Sequence, residues 1–459
     1  MRCISPVDGS VYAEGALHSD AEVDQALDRA VHAQRLWKRA SIKERAGFCT
    51  AAVEGMLAMA DDIVPELAWQ MGRPVKYGRG ELRGFEERAR HMITIAEDAL
   101  RDLQPGNGDD IERFIHREPL GSVFVIAPWN YPYLTAVNSV IPALMAGNAV
   151  LLKHSAQTLL VGERFQTAFD RAGLPAGLFQ NLRLDHEQAK RVIQSGRIQQ
   201  VNFTGSVEGG RTMERAAAGY FLGMGLELGG KDPAYVRADC DLPSAIENLA
   251  DGAFFNSGQS CCGIERIYVA ESLFDEFVAG VVALAKQYVL GNPLDPATTL
   301  GPLIGPQSAD FVRSQIADAV KAGAKAHLDQ SGFARDQKGS AYLSPQVLTA
   351  VNHTMSVMTE ESFGPVVGIM PVKDDAEAIA LMNDSRFGLT AGIWTRDAAA
   401  AREIGAQLET GTVFMNRCDY LDPALAWTGV KETGRGASLS KVGYETLTRP
   451  KSFHLRYSK

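Results

Sequence analysis

The chain has 459 residues, 46% of them hydrophobic and 22% charged, with a formal net charge of −9. That length fits two or three globular domains with a large core, and the acidic balance, without any basic stripe, excludes nucleic acid and anionic membrane as partners, because both are gripped through clustered Lys and Arg. The six cysteines, Cys3, Cys49, Cys240, Cys261, Cys262 and Cys418, have no C-x-x-C or Cys/His ligand spacing, so neither a disulfide framework nor a metal site is expected.

The opening "MRCISPVDGSVYAEG" has neither the basic nor the apolar region of a signal peptide, and no apolar run approaches the roughly 18 residues that span a bilayer, so a soluble, cytoplasmic protein is expected. Ser19 and Glu22 form a capping box ahead of Val23, Ala26, Leu27, Ala30 and Val31, whose spacing predicts an amphipathic helix. Helix-like sequence continues to residue 100. Short apolar strands at 121–128 and 148–153 then alternate with a helix over 157–173 that stops at Gly173, and a strand, a Thr-Gly-Ser turn and a helix start follow within 199–210. Further strands at 266–270, 365–372 and 412–416 alternate with helices at 308–322 and 375–383. This alternation predicts parallel sheets covered on both faces, in two α/β units. Residues 111–118 and 451–457 instead alternate polar and apolar with period two, as a half-exposed strand pair does, and such an edge suits pairing with another subunit.

Unusual residues gather at the ends of these strands, where open α/β sheets bind ligands. "PWNYP" (128–132) puts the Asn130 amide after a strand, "LLKHSAQT" (151–158) ends a strand on Lys153, and "FTGSVEGG" (203–210) places free amides at a helix start, although it lacks the G-x-G-x-x-G spacing. "LELGGKDP" (226–233) follows Glu227 with two glycines that allow close backbone approach and freedom for a general base. "FFNSGQSCCGIER" (254–266) carries two adjacent thiols after a polar turn, and "EESFGPVVG" (360–368) sets a carboxylate before an aromatic and a Gly-Pro turn. Taken singly, each stretch also fits an ordinary structural place. Their order and spacing together are more selective.

Together the six stretches resemble the aldehyde dehydrogenase superfamily, from about Ile4 to the C-terminus, through the "ELGGK" and "GQ-x-C" motifs above all. The resemblance implies a Rossmann-like cofactor domain (1–100 and 120–229), an α/β catalytic domain (230–438) and a small β oligomerisation arm (101–119 and 439–459) joining a homodimer or homotetramer. It implies Cys261 as nucleophile with Cys262 a bystander, Glu227 as general base and Asn130 in the oxyanion hole. The cofactor, NAD or NADP, would be held by Trp129, Lys153, Ser155, Ala156, Gly205, Ser206, Glu361 and Phe363, and no metal is implied. The retained Glu227 points to hydrolysis of a thioester to a carboxylic acid rather than transfer to CoA.

Several positions depart from the family pattern. Ala156 stands where NAD-preferring members often carry Glu, which removes repulsion of a 2′-phosphate near Lys153, with His154 and Ser155 as further candidates to attract it, so NADP is expected to be accepted. The short N-terminus and "LLKH" make the chain similar to short bacterial succinate-semialdehyde dehydrogenases. Asn138 replaces the arginine that such enzymes carry eight residues after the oxyanion-hole Asn, which weakens a carboxylate-bearing substrate, with Arg417 of "MNRCDY" as a substitute anchor. Tyr131, Asn138, Arg417 and Trp427 would line a narrow, partly polar tunnel suited to small aliphatic, hydroxylated or semialdehyde compounds. The alternatives are succinate-semialdehyde dehydrogenase proper and a non-catalytic member of the family.

Overall fold

A computed structural model describes residues 1–457. The capping box forms as expected: the Ser19 hydroxyl accepts from the Glu22 amide and the Glu22 carboxylate accepts from the Ser19 amide, which starts helix Asp20–Trp37. Val23, Ala26, Leu27 and Ala30 of that helix are buried.

Two sheets organise the chain. The first has six strands in the order Gly434–Arg435, Gly223–Glu227, Gln200–Thr204, Ser122–Ala127, Ala149–His154 and Phe179–Asn181, all parallel except the first. Its strands Ser122–Ala127 and Ala149–His154 are wholly buried, because helices cover both faces. The second has seven strands and places Asp232–Val236 and Ile264–Ala270 at its middle, flanked by Val366–Val372 on one side and Thr390–Trp394 on the other. Asp232–Val236 is absent from the sequence-based expectations because Pro233, which cannot donate to a ladder, disguises a buried central strand.

The two alternating stretches pair with each other, Ile111–Pro119 antiparallel to Thr448–Arg456, with Phe114 and Phe453 stacked 4.4 Å apart across the pair. Two expected boundaries shift. Gly434–Arg435, expected in the catalytic segment, joins the first sheet beside Glu227. Residues 439–447, expected in the arm, pack instead into the first core, where Leu439, Tyr444 and Leu447 are buried and the Tyr444 hydroxyl donates to the Met92 carbonyl at 2.6 Å. Burial of three large apolar side chains outweighs their closeness in sequence to the arm strand. Positions 458–459 of the expected arm lie outside the described residues. Among the described residues no helix is long and apolar enough to cross a membrane.

Candidate active site

The thiol pair sits on an irregular turn. Helix Leu242–Phe254 runs into a turn in which Asn256, Ser257 and Gly258 have φ of 52°, 57° and 71°. A left-handed conformation costs about 1–2 kcal/mol at a non-glycine residue, so the two preceding glycine need support. They receive it from buried hydrogen bonds: Asn256 Nδ2 donates to the Asn130 and Gln259 carbonyls at 3.2 Å, and Ser257 Oγ to the Gly301 carbonyl at 2.8 Å. The Ile304 amide donates to Gln259 Oε1 at 2.7 Å. A Cβ on Gly258 would collide with the Gly364 carbonyl, so the turn lies directly against the loop that carries Glu361 and Phe363.

This turn gives the two sulfurs different surroundings. Cys261 is partly exposed, whereas Cys262 is 3% exposed, within the core. Cys262 Sγ donates to Asp419 Oδ1 at 3.1 Å, and Ser260 Oγ donates to the same oxygen at 2.6 Å. The adjacent Cys261 sulfur, then burial and the Asp419 charge, push the Cys262 thiol well above its usual range.

Cys261 opens onto a cavity of about 570 Å³ that is also lined by Glu227, Tyr131, Asn138, Arg417 and Trp427. Glu227 ends the strand Gly223–Glu227, where its carboxylate accepts from Ser438 Oγ at 2.7 Å and Thr204 Oγ1 at 3.3 Å. Burial raises its pKa, a direction that suits a group that must take up a proton near neutral pH. Trp427 is buried, while Arg417 is exposed and stacks its guanidinium on the Tyr420 ring at 3.4 Å. Asn130, next to the cavity-lining Tyr131 in sequence but not itself among the lining residues, is buried and donates one Nδ2 hydrogen to the Gln259 carbonyl at 3.2 Å.

Two buried ion pairs position these groups, and the sequence reading assigned neither. Arg73 pairs with Glu81 and donates to the Asn130 carbonyl at 2.7 Å, while Glu81 Oε1 accepts from the Tyr133 and Leu134 amides at the start of helix Pro132–Met145. Lys231, the lysine of "ELGGK", pairs with Glu265 and donates to Ser362 Oγ at 3.0 Å, and Glu265 accepts from the Ser362 and Phe363 amides. The motif's own lysine was the available signal for the second pair. The two glycines of the motif also have a defined use. A Cβ on Gly230 would strike the Cys261 carbonyl, and one on Gly229 would come within 2.5 Å of the Glu361 carboxylate.

On the far side of the thiol turn, Trp129, Gln259, Glu361 and Phe363 line a second cleft of about 290 Å³. Trp129 and Phe363 meet edge to face at 5.7 Å, and Glu361 Oε1 accepts from the Gly230 amide at 2.9 Å. Burial, then the Glu265 charge, raise the Glu361 carboxyl to about 7. Ser206 caps helix Val207–Ala217 by accepting from the Gly209 amide, and the Gly205 amide donates to the Glu227 carbonyl at 3.0 Å. Lys153, one residue before the end of strand Ala149–His154, is 7% exposed and in no ion pair among the described residues, with burial lowering its pKa and Asp185 partly offsetting that. A buried ammonium without an ion pair, an aromatic pair beside a carboxylate, and a capped helix start fit the phosphates, ribose and nicotinamide of a dinucleotide. Ser155 caps the short turn beginning at Ala156. His154 does not join them. Its Nδ1 accepts from the Ser155 amide at 3.0 Å, its Nε2 faces the Pro132 carbonyl at 3.2 Å, and burial lowers its pKa to about 4, so it is neutral and turned inward.

The family model "Aldehyde dehydrogenase family" matches residues 1–453. The chain is 32% identical, over 99% of its length and 97% of the relative's, to a "Succinate-semialdehyde dehydrogenase [NADP(+)]" of Mycobacterium avium. It is 34% identical, over 99% of its length and 93% of the relative's, to a "3,6-anhydro-alpha-L-galactose dehydrogenase" of Streptomyces coelicolor. The crystal structure of a succinic semialdehyde dehydrogenase from Streptococcus pyogenes in complex with NADP+ superposes with a TM-score of 0.94 over 99% of both chains, at 26% identity.

Proposed function

The chain belongs to the aldehyde dehydrogenase family, and from that premise we propose how its own residues oxidise an aldehyde to a carboxylic acid with NAD or NADP. One observation carries the proposal: Cys261 and Glu227 share the wall of one cavity, and Gln259, two residues before the thiol, lines the cleft of Trp129, Glu361 and Phe363.

The Cys261 thiolate attacks the aldehyde carbon and forms a thiohemiacetal. The second Nδ2 hydrogen of Asn130 and the Cys261 backbone N–H hold its oxyanion. When bound, the nicotinamide supplies the hydride acceptor that turns this adduct into a thioester. Glu227 takes a proton from water, which hydrolyses the thioester and frees the acid. Glu361 would hold the nicotinamide ribose beside Trp129 and Phe363. Gly205 and Ser206 would hold the diphosphate, and Lys153, Ser155 and Ala156 the adenosine ribose. Lys153 without a nearby carboxylate at Ala156 supports acceptance of NADP. Tyr131, Asn138, Arg417 and Trp427 shape a partly polar tunnel that supports small aliphatic, hydroxylated or semialdehyde substrates, including succinic semialdehyde itself.

The arm of Ile111–Pro119 and Thr448–Arg456 is a two-stranded sheet whose first edge is partly covered by Leu103 and Gly108 while the Thr448–Arg456 edge pairs with no other strand among the described residues, which supports a homodimer or homotetramer. Sedimentation of a chain ending at residue 447 checks this, with a monomer as the expected result. Six free cysteines support a reducing, cytoplasmic setting.

A panel of neutral, hydroxylated and ω-carboxylated aldehydes, assayed with both cofactors and with product analysis, tests the function. Carboxylic acid formation without CoA or phosphate is expected. A product dependent on CoA, or no nicotinamide reduction with any aldehyde, overturns it.

A further inference from the structure

The cavity holding Cys261 contains hydrogen-bond donors without acceptors, and they lie together. Arg88, on helix Val75–Ala99, is 9% exposed and lines the cavity. Its Nη1 donates to the Leu134 carbonyl at 2.7 Å and to Asn138 Oδ1 at 3.3 Å. Its Nε and Nη2 make no hydrogen bond, and it joins no ion pair among the described residues. Asn138 is 2% exposed, and because its Oδ1 faces Arg88, its Nδ2 is left buried and without a partner.

The cavity's other charges are otherwise engaged or exposed to solvent, Arg83 among the exposed ones. Arg73 is paired with Glu81, Arg417 is stacked on Tyr420, and Glu87 accepts from the Tyr420 hydroxyl. Asp419 is turned to Ser260 and Cys262, and Glu227 to Ser438 and Thr204. Asp251 also lines the cavity and forms no ion pair with Arg88. A guanidinium so largely buried and without a counter-ion is costly, since it stays charged. The Nε/Nη2 edge that remains is one that takes a carboxylate with two parallel hydrogen bonds.

We propose that Arg88 and Asn138 form the anion-binding end of the aldehyde cavity, so that the preferred substrate is an aldehyde with a carboxylate at its far end. The carboxylate accepts from Arg88 Nε and Nη2, and Asn138 Nδ2 supplies a further donor. The arginine missing at position 138 is thus supplied from a different helix, and Asn138 orients it. Arg417, exposed at the mouth, is not the anchor. The inference rests on the reading of Cys261 as the nucleophile of this cavity.

The test compares kcat/KM for succinic and glutaric semialdehydes with that for butanal and pentanal, in the wild type and in Arg88→Met and Asn138→Ala. The carboxylated-to-neutral ratio is expected to fall about 100-fold in Arg88→Met, through KM, as for loss of one partner of a buried charge pair, and less in Asn138→Ala. An unchanged ratio in Arg88→Met, including an equal fall for both substrate types, overturns the proposal. Should Arg88→Met not fold, inhibition of the wild type is measured with butanal as substrate. Butyrate is expected to compete with butanal and butyramide is not, and equal potency overturns the proposal. In Cys261→Ala, with turnover abolished, butyrate binding is still expected by calorimetry, whereas turnover retained there would refute the nucleophile and not the anion site.

Discussion

The Cys262 thiol donates to the Asp419 carboxylate at 3.1 Å, inside the core, while its neighbour Cys261 lines the cavity. The adjacent Cys261 sulfur, burial and a nearby negative charge favour the protonated form of one sulfur, and the other is accessible. Cys261→Ala is expected to abolish turnover, and Cys262→Ala to keep most of it. One equivalent of iodoacetamide is expected to label Cys261 and remove activity in step, read by peptide mass spectrometry. Equal losses in the two variants would show that the roles are misassigned.

Cofactor affinity is expected to follow Glu361. Burial and the Glu265 charge favour its neutral form, so the carboxyl ionises only above about pH 7 in the free enzyme. Ribose hydroxyls donate best to a carboxylate, so KM for the cofactor is expected to rise as pH falls below about 7, and Glu361→Gln to flatten that profile. The same raised pKa has the opposite sign for stability. Between the usual carboxylate value and about 7 the folded state holds the proton that the unfolded state releases, so this group's contribution, full at low pH, is lost as pH rises through about 7.

Ala156 is expected to set cofactor choice. Ala156→Glu places a carboxylate near Lys153, where it accepts from ribose hydroxyls and repels a 2′-phosphate. The NADP-to-NAD ratio of kcat/KM is expected to drop by about tenfold or more, the effect of roughly 1.4 kcal/mol. Initial rates with both cofactors at fixed aldehyde check this.

Lys231 and Glu265 are expected to behave as a unit. Lys231→Met leaves Glu265 buried without its counter-ion, at a cost of about 3–5 kcal/mol, and releases Ser362 beside the Glu361–Phe363 loop. Thermal unfolding is expected to show a large loss for Lys231→Met, partly recovered in the double variant Lys231→Met/Glu265→Gln.

Much of the architecture is legible in the chain because local rules and burial agree. The Ser19–Glu22 box, the stop at Gly173 and the period-two stretches around Phe114 and Phe453 each state their own structure. Asp232–Val236 is hidden because Pro233 contradicts the strand locally while the surrounding sheet overrides it. The proposed reacting groups stand out because Cys261 and Glu227 lie in glycine-rich, specific motifs. Arg73, Glu81, Arg88 and Glu265 do not. A lone charge in the sequence reads as solvated until the fold shows what it faces, and here each is buried.

Covalent catalysis at Cys261 is tested most directly by slowing the step assigned to Glu227. Glu227→Gln, mixed with aldehyde and cofactor, then acid-quenched and digested, is expected to give one equivalent of reduced nicotinamide per site in a burst. The acyl group is expected on Cys261, with subsequent turnover slower by about 10²–10⁴. An acyl group on Cys262, or steady turnover with no acyl-enzyme, would contradict it.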